Sequence, residues 1–144
     1  ARPAFQGHVL VVEDNAVNQQ VARRFLERLG CQVTVAADGR AGVEAWRGAS
    51  FDLILMDVQM PVMDGLAATR EIRASESADR TPIVALTASA MTGDLERCLE
   101  AGMDALLTKP LEAQRLRDIL ERFALGAHRA LGDGSPPSAA EPQG

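Results

Sequence analysis

Four charged residues of this sequence stand where an apolar segment ends. They are Glu13, Asp14, Asp57 and Lys109. Asp57 closes the apolar run that begins at Phe51, and a carboxylate at the end of a buried strand costs free energy unless it has a partner. We therefore expect the three acids and the amine to share one site.

Three converging carboxylates favour a divalent cation, because a cation relieves their mutual repulsion. Carboxylate oxygens with retained water suit Mg²⁺, or Mn²⁺, whose shell is completed by substrate phosphate oxygens. Lys109 and the hydroxyl of Thr87, which also ends an apolar segment, are candidates to hold the other oxygens of a phosphoryl group. The simplest reaction of such a site is attack by the Asp57 carboxylate on phosphorus, which gives an aspartyl phosphate.

The sequence lacks a G-x-x-x-x-G-K-[ST] loop that would hold a nucleotide. We therefore do not expect ATP as the direct phosphoryl donor. The predicted donor is another protein or a small acyl phosphate.

Apolar, β-branched runs alternate with segments of helical period along the chain. The predicted strands are Val9–Val12, Gln32–Ala37, Leu53–Met56, Ile83–Thr87 and Ala105–Thr108. Strict alternation of strand and helix predicts an α/β fold with a parallel, doubly wound sheet between two helix layers. Ligands of such sheets bind beyond the carboxyl ends of the strands, which is where the charged residues fall.

The helices are predicted from apolar residues that recur on one side. The residues expected to face the sheet are Val17, Val21, Phe25 and Leu29 in the first helix, Val43 and Trp46 in Gly39–Arg47, Leu66 and Ile72 in Gly65–Ala74, Leu95, Cys98 and Leu99 in Thr92–Ala101, and Leu116, Ile119, Leu120 and Phe123 in the last. Gly30 and Gly102 stand where C-terminal caps should fall, and Asp64 is expected to cap the third helix.

The folded domain is predicted to span residues 8–125, with a linker stub at 1–7 and a disordered tail rich in Gly, Pro, Ser and Ala at 126–144. The net charge of -5 gives no electrostatic reason to bind nucleic acid or an anionic membrane. Two cysteines without metal-ligand spacing, and no apolar run of about 20 residues, indicate a cytoplasmic domain, although a longer parent protein could be anchored in a membrane.

Four short motifs resemble the receiver domains of two-component response regulators, which are proteins of bacterial signalling. The motifs are Val-Val-Glu13-Asp14-Asn15 with Asn18, Met-Asp57-Val-Gln-Met-Pro61-Val-Met-Asp-Gly65, Ala-Leu-Thr87-Ala88 and Leu-Thr-Lys109-Pro110. They cover about residues 7–125 in the right order, and the first two most resemble the receivers of hybrid sensor histidine kinases. The resemblance implies the five-stranded flavodoxin-like fold, with strand order 2-1-3-4-5. It also implies that Asp57 accepts a phosphoryl group from the phosphohistidine of a kinase or phosphotransfer protein.

The resemblance further assigns metal ligands by position. Asp14 and Asp57 are expected to bind Mg²⁺ directly, Glu13 through water, and Gln59 through its backbone carbonyl. An isolated receiver is expected to accept a phosphoryl group and lose it slowly, without turnover as an enzyme, and to be a monomer or weak dimer.

The resemblance assigns phosphoryl contacts to Thr87 and Lys109, and small Ala88 should leave the site open. It also implies that the Lys109–Pro110 bond is cis. Candidates for contact with the protein that carries the phosphohistidine lie at the start of the first helix. They are Asn15, Ala16 and Asn18.

Leu106 departs from the family pattern. Many receivers carry an aromatic residue three positions before the conserved lysine, whereas this chain has Leu106 there and no tyrosine. Thr87 can still move towards a phosphoryl group, but we expect weaker coupling of phosphorylation to the last strand and helix.

Three alternatives stay open at this stage. The chain could be a stand-alone, single-domain response regulator. A Mg²⁺-dependent phosphohydrolase of the haloacid dehalogenase type would carry D-x-D after its first strand, whereas Asp57-Val58-Gln59 follows the third. A flavodoxin would need a phosphate-binding loop where Glu13 and Asp14 stand, and these acids would repel that phosphate.

Overall fold

The computed structural model describes residues 5–60, 62–76, 80–88 and 94–123 of the 144-residue chain. The strands are β1 (His8–Val12), β2 (Gln32–Ala36), β3 (Leu53–Asp57), β4 (Ile83–Thr87) and β5 (Ala105–Thr108). The helices are α1 (Ala16–Leu29), α2 (Gly39–Gly48), α3 (Gly65–Ser75), α4 (Asp94–Ala101) and α5 (Ala113–Arg122). The predicted strands and helices are all present. The predicted helix start at Thr92, and Pro61 of the second motif, lie outside the described residues.

The five strands form one parallel sheet in the order β2-β1-β3-β4-β5, which confirms the predicted flavodoxin-like topology. Alternate residues of β1 face opposite sides, as in any strand. Val9 and Val11 pack in a core with the buried residues of α1 and α5, whereas Leu10 and Val12 pack in a second core with α2, α3 and α4. No helix in the described parts of the chain is long and apolar enough to cross a bilayer.

The expected helix caps are present. Gly30 and Gly102 have φ angles of 107° and 110° after α1 and α4, which is the left-handed conformation that suits glycine. The Asp64 carboxylate accepts the Ala67 N–H at 2.8 Å and so caps α3. These local signals set where the helices begin and end.

Three apolar residues predicted to face the core are instead exposed. Val17 is 69% exposed, because α1 turns Ala22 and Leu26 towards the sheet and its first turn lies near the sheet edge. Leu95 and Leu99 of α4 are 47% and 49% exposed. Helix α4 presents Cys98 to the core instead, and this short helix buries only one row of side chains against the sheet.

The predicted linker stub also needs correction at its end. The Phe5 ring is 2% exposed and packs in the core beneath α1 and α5. Its backbone N–H donates to the Leu29 carbonyl at 2.8 Å, and the Arg117 guanidinium lies 5.3 Å from its ring centroid. An aromatic ring buries enough apolar surface to order its segment, so the folded part includes residue 5. The predicted tail at 126–144 lies outside the described residues.

An arginine joins three segments at the opposite, amino-terminal edge of the sheet. The Arg73 side chain is 13% exposed and donates to the Gly102 carbonyl at 2.8 Å, to Asp104 Oδ2 at 2.9 Å and to Glu76 Oε2 at 2.7 Å. The same Asp104 oxygen accepts the Ile83 N–H at 2.9 Å. The end of α3 is thereby tied to the turns that lead into β4 and β5.

Candidate functional site

The carboxyl edge of the sheet brings the predicted charged residues together. Asp57 is the last residue of β3 and is 3% exposed, while Glu13 directly follows β1 and is 1% exposed. The Lys109 ammonium, which follows β5, lies 3.1 Å from Asp57 Oδ2 and 3.1 Å from Glu13 Oε1. Carboxylate oxygens of Glu13, Asp14 and Asp57 all lie within 4.8 Å of one another. The three acids and the amine thus form the one shared cluster that the sequence predicts.

The loop after β1 is fixed by hydrogen bonds on both sides. The Glu13 N–H donates to the Ala36 carbonyl of β2 at 3.0 Å, and Glu13 Oε2 accepts the Asn15 N–H at 3.0 Å. Asn15 caps α1 by accepting the Asn18 N–H at 3.0 Å. The Gln19 side-chain amide of α1 donates to the Glu13 carbonyl at 2.7 Å. Glu13 is therefore held by both its backbone and its side chain.

Asp57 is supported by its own loop. The Gln59 N–H donates to Asp57 Oδ1 at 3.1 Å, and the Gly65 N–H donates to the Val58 carbonyl at 3.0 Å. A Cβ atom on Gly65 would lie 2.1 Å from the Asp57 carbonyl oxygen, far inside contact distance. Only glycine allows α3 to begin this close to the acidic residue.

Burial and the charges of the cluster shift the pKa values of two groups. Burial raises the pKa of the Asp57 carboxyl from 3.8 to about 6, against the hydrogen bond from Lys109, and the Glu13 charge raises it further. Burial lowers the pKa of the Lys109 ammonium, but its contacts with Glu13 and Asp57 outweigh burial and leave the pKa above its ordinary value of 10.5. At pH 7.5 Asp57 is therefore mostly ionised beside a charged lysine.

These residues open onto a cleft of about 240 Å³. It is lined by Glu13, Asp14, Asn15, Asn18, Asp57, Val58, Gln59, Thr87, Ala88 and Lys109. Every residue predicted to contact the metal or the phosphoryl group lies at this cleft. Of the three docking candidates, Asn15 and Asn18 line it and Ala16 is exposed at the start of α1. The Lys109–Pro110 bond is cis, as the resemblance implies.

Leu106 lies away from the cleft. It is half-buried and lines a separate groove with Leu95, Leu99 and Ile119, between α4, β5 and α5. Leu106, which stands in place of the usual aromatic residue, therefore lies on the outward groove, and we expect phosphorylation to be coupled only weakly to this groove.

The sequence motifs missed two supporting residues. The sequence predicts Gly65 only as the first residue of the third helix, whereas its close approach to Asp57 follows from the tertiary fold. Gln19 gave no signal beyond a polar position in α1, because its partner is a backbone carbonyl in the preceding loop.

The donor set fits a hard divalent cation. Three carboxylates contribute oxygens within 4.8 Å of one another, and two of these residues are almost fully buried. Such oxygen donors suit Mg²⁺ or Mn²⁺, whereas softer metals prefer nitrogen or sulfur ligands. The cluster also contains Lys109, whose single positive charge offsets only part of the negative charge.

Comparison with known proteins gives consistent matches. The family model described as response regulator receiver domain matches residues 9–121. Hybrid signal transduction histidine kinase G of Dictyostelium discoideum is 46% identical over 118 residues, which are 80% of this chain and 3% of that protein. The chain thus spans a small fraction of that relative's length.

Two solved structures that include receiver domains share the fold. The receiver domain of the sensor histidine kinase PA1611 of Pseudomonas aeruginosa, with a magnesium ion coordinated in its active site cleft, has a TM-score of 0.76 and 49% identity over 82% of this chain and 97% of that one. A chain from the Saccharomyces cerevisiae complex of the phosphotransfer protein Ypd1 with the receiver domain of Ssk1 has a TM-score of 0.78 and 32% identity, over 93% of this chain and 98% of that one.

Proposed function

Because this chain belongs to the response regulator receiver domain family, we propose that Asp57 is its phosphoacceptor, with a phosphohistidine of a histidine kinase or phosphotransfer protein as donor. One observation carries the proposal. The buried Asp57 carboxylate contacts Lys109 at 3.1 Å and shares a cluster of oxygens within 4.8 Å with Glu13 and Asp14. A purely structural carboxylate would not need two further acids beside it.

In the proposed step, an Asp57 carboxylate oxygen forms a bond to phosphorus while the bond from phosphorus to the donor imidazole nitrogen breaks. The imidazole leaves with the electron pair of that bond, and Asp57 becomes an acyl phosphate. Lys109 then contacts a phosphoryl oxygen in place of the carboxylate oxygen that it contacts now. The Thr87 hydroxyl, at the end of β4 beside the cleft, donates to another phosphoryl oxygen.

The residues proposed to hold Mg²⁺, or Mn²⁺, are Asp14 and Asp57 directly, Glu13 through water and Gln59 through its backbone carbonyl. When bound, the cation would neutralise charge on the phosphoryl oxygens during in-line transfer. The PA1611 receiver holds a magnesium ion in its active site cleft, and the fit of the donor set supports the same cation here.

Partner docking is proposed at the start of α1, beside the mouth of the cleft. Ala16 and Val17 are exposed there, and Asn15 and Asn18 line the adjoining cleft. Exposed apolar surface next to polar groups is typical of a protein contact. The Ypd1 complex with a receiver shows that a related domain meets a phosphotransfer protein.

We propose that the chain functions as the receiver of a hybrid histidine kinase. The motifs around Asp14 and Asp57 and the identity to such kinases support this context, and a stand-alone regulator is the alternative. With Leu106 on the groove between α4 and α5, we propose a relay that passes the phosphoryl group on and couples only weakly to that groove.

The test is transfer of radiolabelled phosphoryl from a histidine phosphotransfer protein to three forms of the chain. Wild type and the control D118N, altered at an exposed position of α5, should be labelled, D57N should not, and EDTA should prevent labelling. Label retained by D57N would refute the proposal. Steady hydrolysis of p-nitrophenyl phosphate at about 1 per second or faster would favour the phosphohydrolase instead.

A further inference from the structure

We propose that Gln19 is a positioning residue, which holds Asp14 where the divalent cation needs it. The inference rests on the proposed metal site. Gln19 Nε2 donates to the Glu13 carbonyl at 2.7 Å. That carbonyl belongs to the peptide unit that joins Glu13 to Asp14, so the hydrogen bond fixes the peptide plane from which Asp14 departs.

The position of Gln19 in α1 explains why its side chain can contact the Glu13 carbonyl. Its backbone N–H donates to the Asn15 carbonyl at 2.9 Å, which places it one turn after the helix cap. Long side chains in helices point back towards the amino terminus. The half-buried Gln19 amide therefore lies over the first turn and meets the loop that carries the acids.

Asp14 depends on this backbone support because its side chain has no other. Glu13 is held through its own N–H by Ala36 and through its carboxylate by Asn15 and Lys109. Within the described parts of the chain, the exposed Asp14 carboxylate makes no hydrogen bond or ion pair with another residue. Its location is set by the backbone on either side, which is held by Gln19 at the Glu13 carbonyl and by Glu13 Oε2 at the Asn15 N–H.

The acids repel one another when no cation is present, since their oxygens lie within 4.8 Å. Without the Gln19 hydrogen bond, the peptide before Asp14 loses its donor and only the Asn15 N–H bond to Glu13 Oε2 restrains the peptide after it, so the Asp14 charge can move further towards solvent. Binding a cation then has to restore the present arrangement. A hydrogen bond of about 0.7 to 1.4 kcal/mol, if it acts only in the binding-competent form, corresponds to about threefold to tenfold weaker Mg²⁺ binding.

The chain provides a matched control next to this residue. Gln20 has the same side chain but is exposed on α1. The substitution Gln19→Met removes the donor while keeping a long, unbranched side chain, and Gln20→Met makes the same change at an exposed side chain that donates no hydrogen bond within the described residues. Mg²⁺ affinity of the metal-free domains is measured by calorimetry, and urea unfolding in EDTA gives their stability.

We expect the Mg²⁺ dissociation constant of Q19M to be about threefold to tenfold above wild type, and that of Q20M to stay within about twofold. A lower urea midpoint for Q19M with unchanged Mg²⁺ affinity would mean a structural role only and overturn the inference. An equal loss in Q20M would do the same. If wild type itself binds no Mg²⁺, the proposed metal site fails, whereas equal binding by wild type and Q19M removes only the role of Gln19.

Discussion

Replacing Asp57 by asparagine should stabilise the metal-free domain at neutral pH. Asp57 is 3% exposed, and burial raises its pKa from 3.8 to about 6. Between pH 3.8 and about pH 6, the Asp57 carboxyl therefore stays protonated in the folded protein but is ionised in the unfolded chain. The stability associated with that proton is fully present below pH 3.8 and is lost as the pH rises through about 6.

The magnitude follows from the pKa values. The rise from 3.8 to about 6 corresponds to about 3 kcal/mol at 1.36 kcal/mol per pH unit. Asparagine is neutral and has nearly the same shape, so D57N should be more stable than wild type by about 3 kcal/mol at pH 7.5. The advantage should fall to about half at pH 5, where the folded wild type keeps its proton, and vanish towards pH 3.

The assay is urea unfolding in EDTA at pH 7.5 and pH 5, followed by fluorescence of Trp46, the sole tryptophan. D118N, altered on the exposed side of α5, is the control and should change stability by less than about 0.5 kcal/mol. Saturating Mg²⁺ should narrow the difference, because the cation stabilises wild type by binding its ionised carboxylate. A D57N variant no more stable than wild type at pH 7.5, or one whose advantage does not depend on pH, would refute the reasoning.

Four further changes test other contacts. Lys109→Met should raise the pKa of Asp57 above about 6, since Lys109 lowers it now; carbon-13 NMR titration measures this, and a fall would contradict the ion pair. Gly65→Ala should lower the free energy of unfolding by about 2 to 3 kcal/mol through overpacking, as urea midpoints would show, and an unchanged midpoint would mean that the loop yields easily. Arg73→Met should cost about 2 kcal/mol, because the half-buried Glu76 carboxylate loses its arginine whereas Asp104 keeps its pair with Arg80, and a loss under about 1 kcal/mol in the same assay would mean that water replaces the contacts. Val17→Ser should leave stability within about 0.5 kcal/mol and slow labelling by a phosphotransfer protein but not by acetyl phosphate; equal slowing with both donors would exclude a docking role.

The fold and the composition of the site were predictable because both depend on where strands end. Continuous apolar runs mark buried parallel strands, and the strand order brings Glu13, Asp57 and Lys109 to one edge. The apolar pattern of the sequence therefore predicts where each strand ends, and with the strand order it predicts that these charged residues lie close together. The close approach of Gly65 to Asp57 does not follow from any period, because it depends on how α3 enters against β3.

Side-chain exposure was harder to predict than secondary structure. Val17 fits the apolar stripe of α1 as well as Phe25 does, but its turn lies near the sheet edge, where there is little to pack against. The predicted burial of Leu95 and Leu99 was wrong for a related reason, since the short helix α4 has two apolar rows and the sheet covers only one of them. Phe5 is buried although the sequence predicts it in a linker, because a single ring without other large apolar residues nearby gives no periodic signal.

The anchoring of Phe5 has a consequence for chimeric proteins that exchange receivers. The Phe5 ring lies beneath α1 and α5, and the Phe5 N–H donates a hydrogen bond to the Leu29 carbonyl at the end of α1. A foreign partner should therefore be joined before residue 5, because a splice at the first strand, which begins at His8, would remove the Phe5 ring from the core. Chimeras joined upstream of Phe5 keep the hydrophobic core of the receiver complete, so the junction affects only how the partner is oriented.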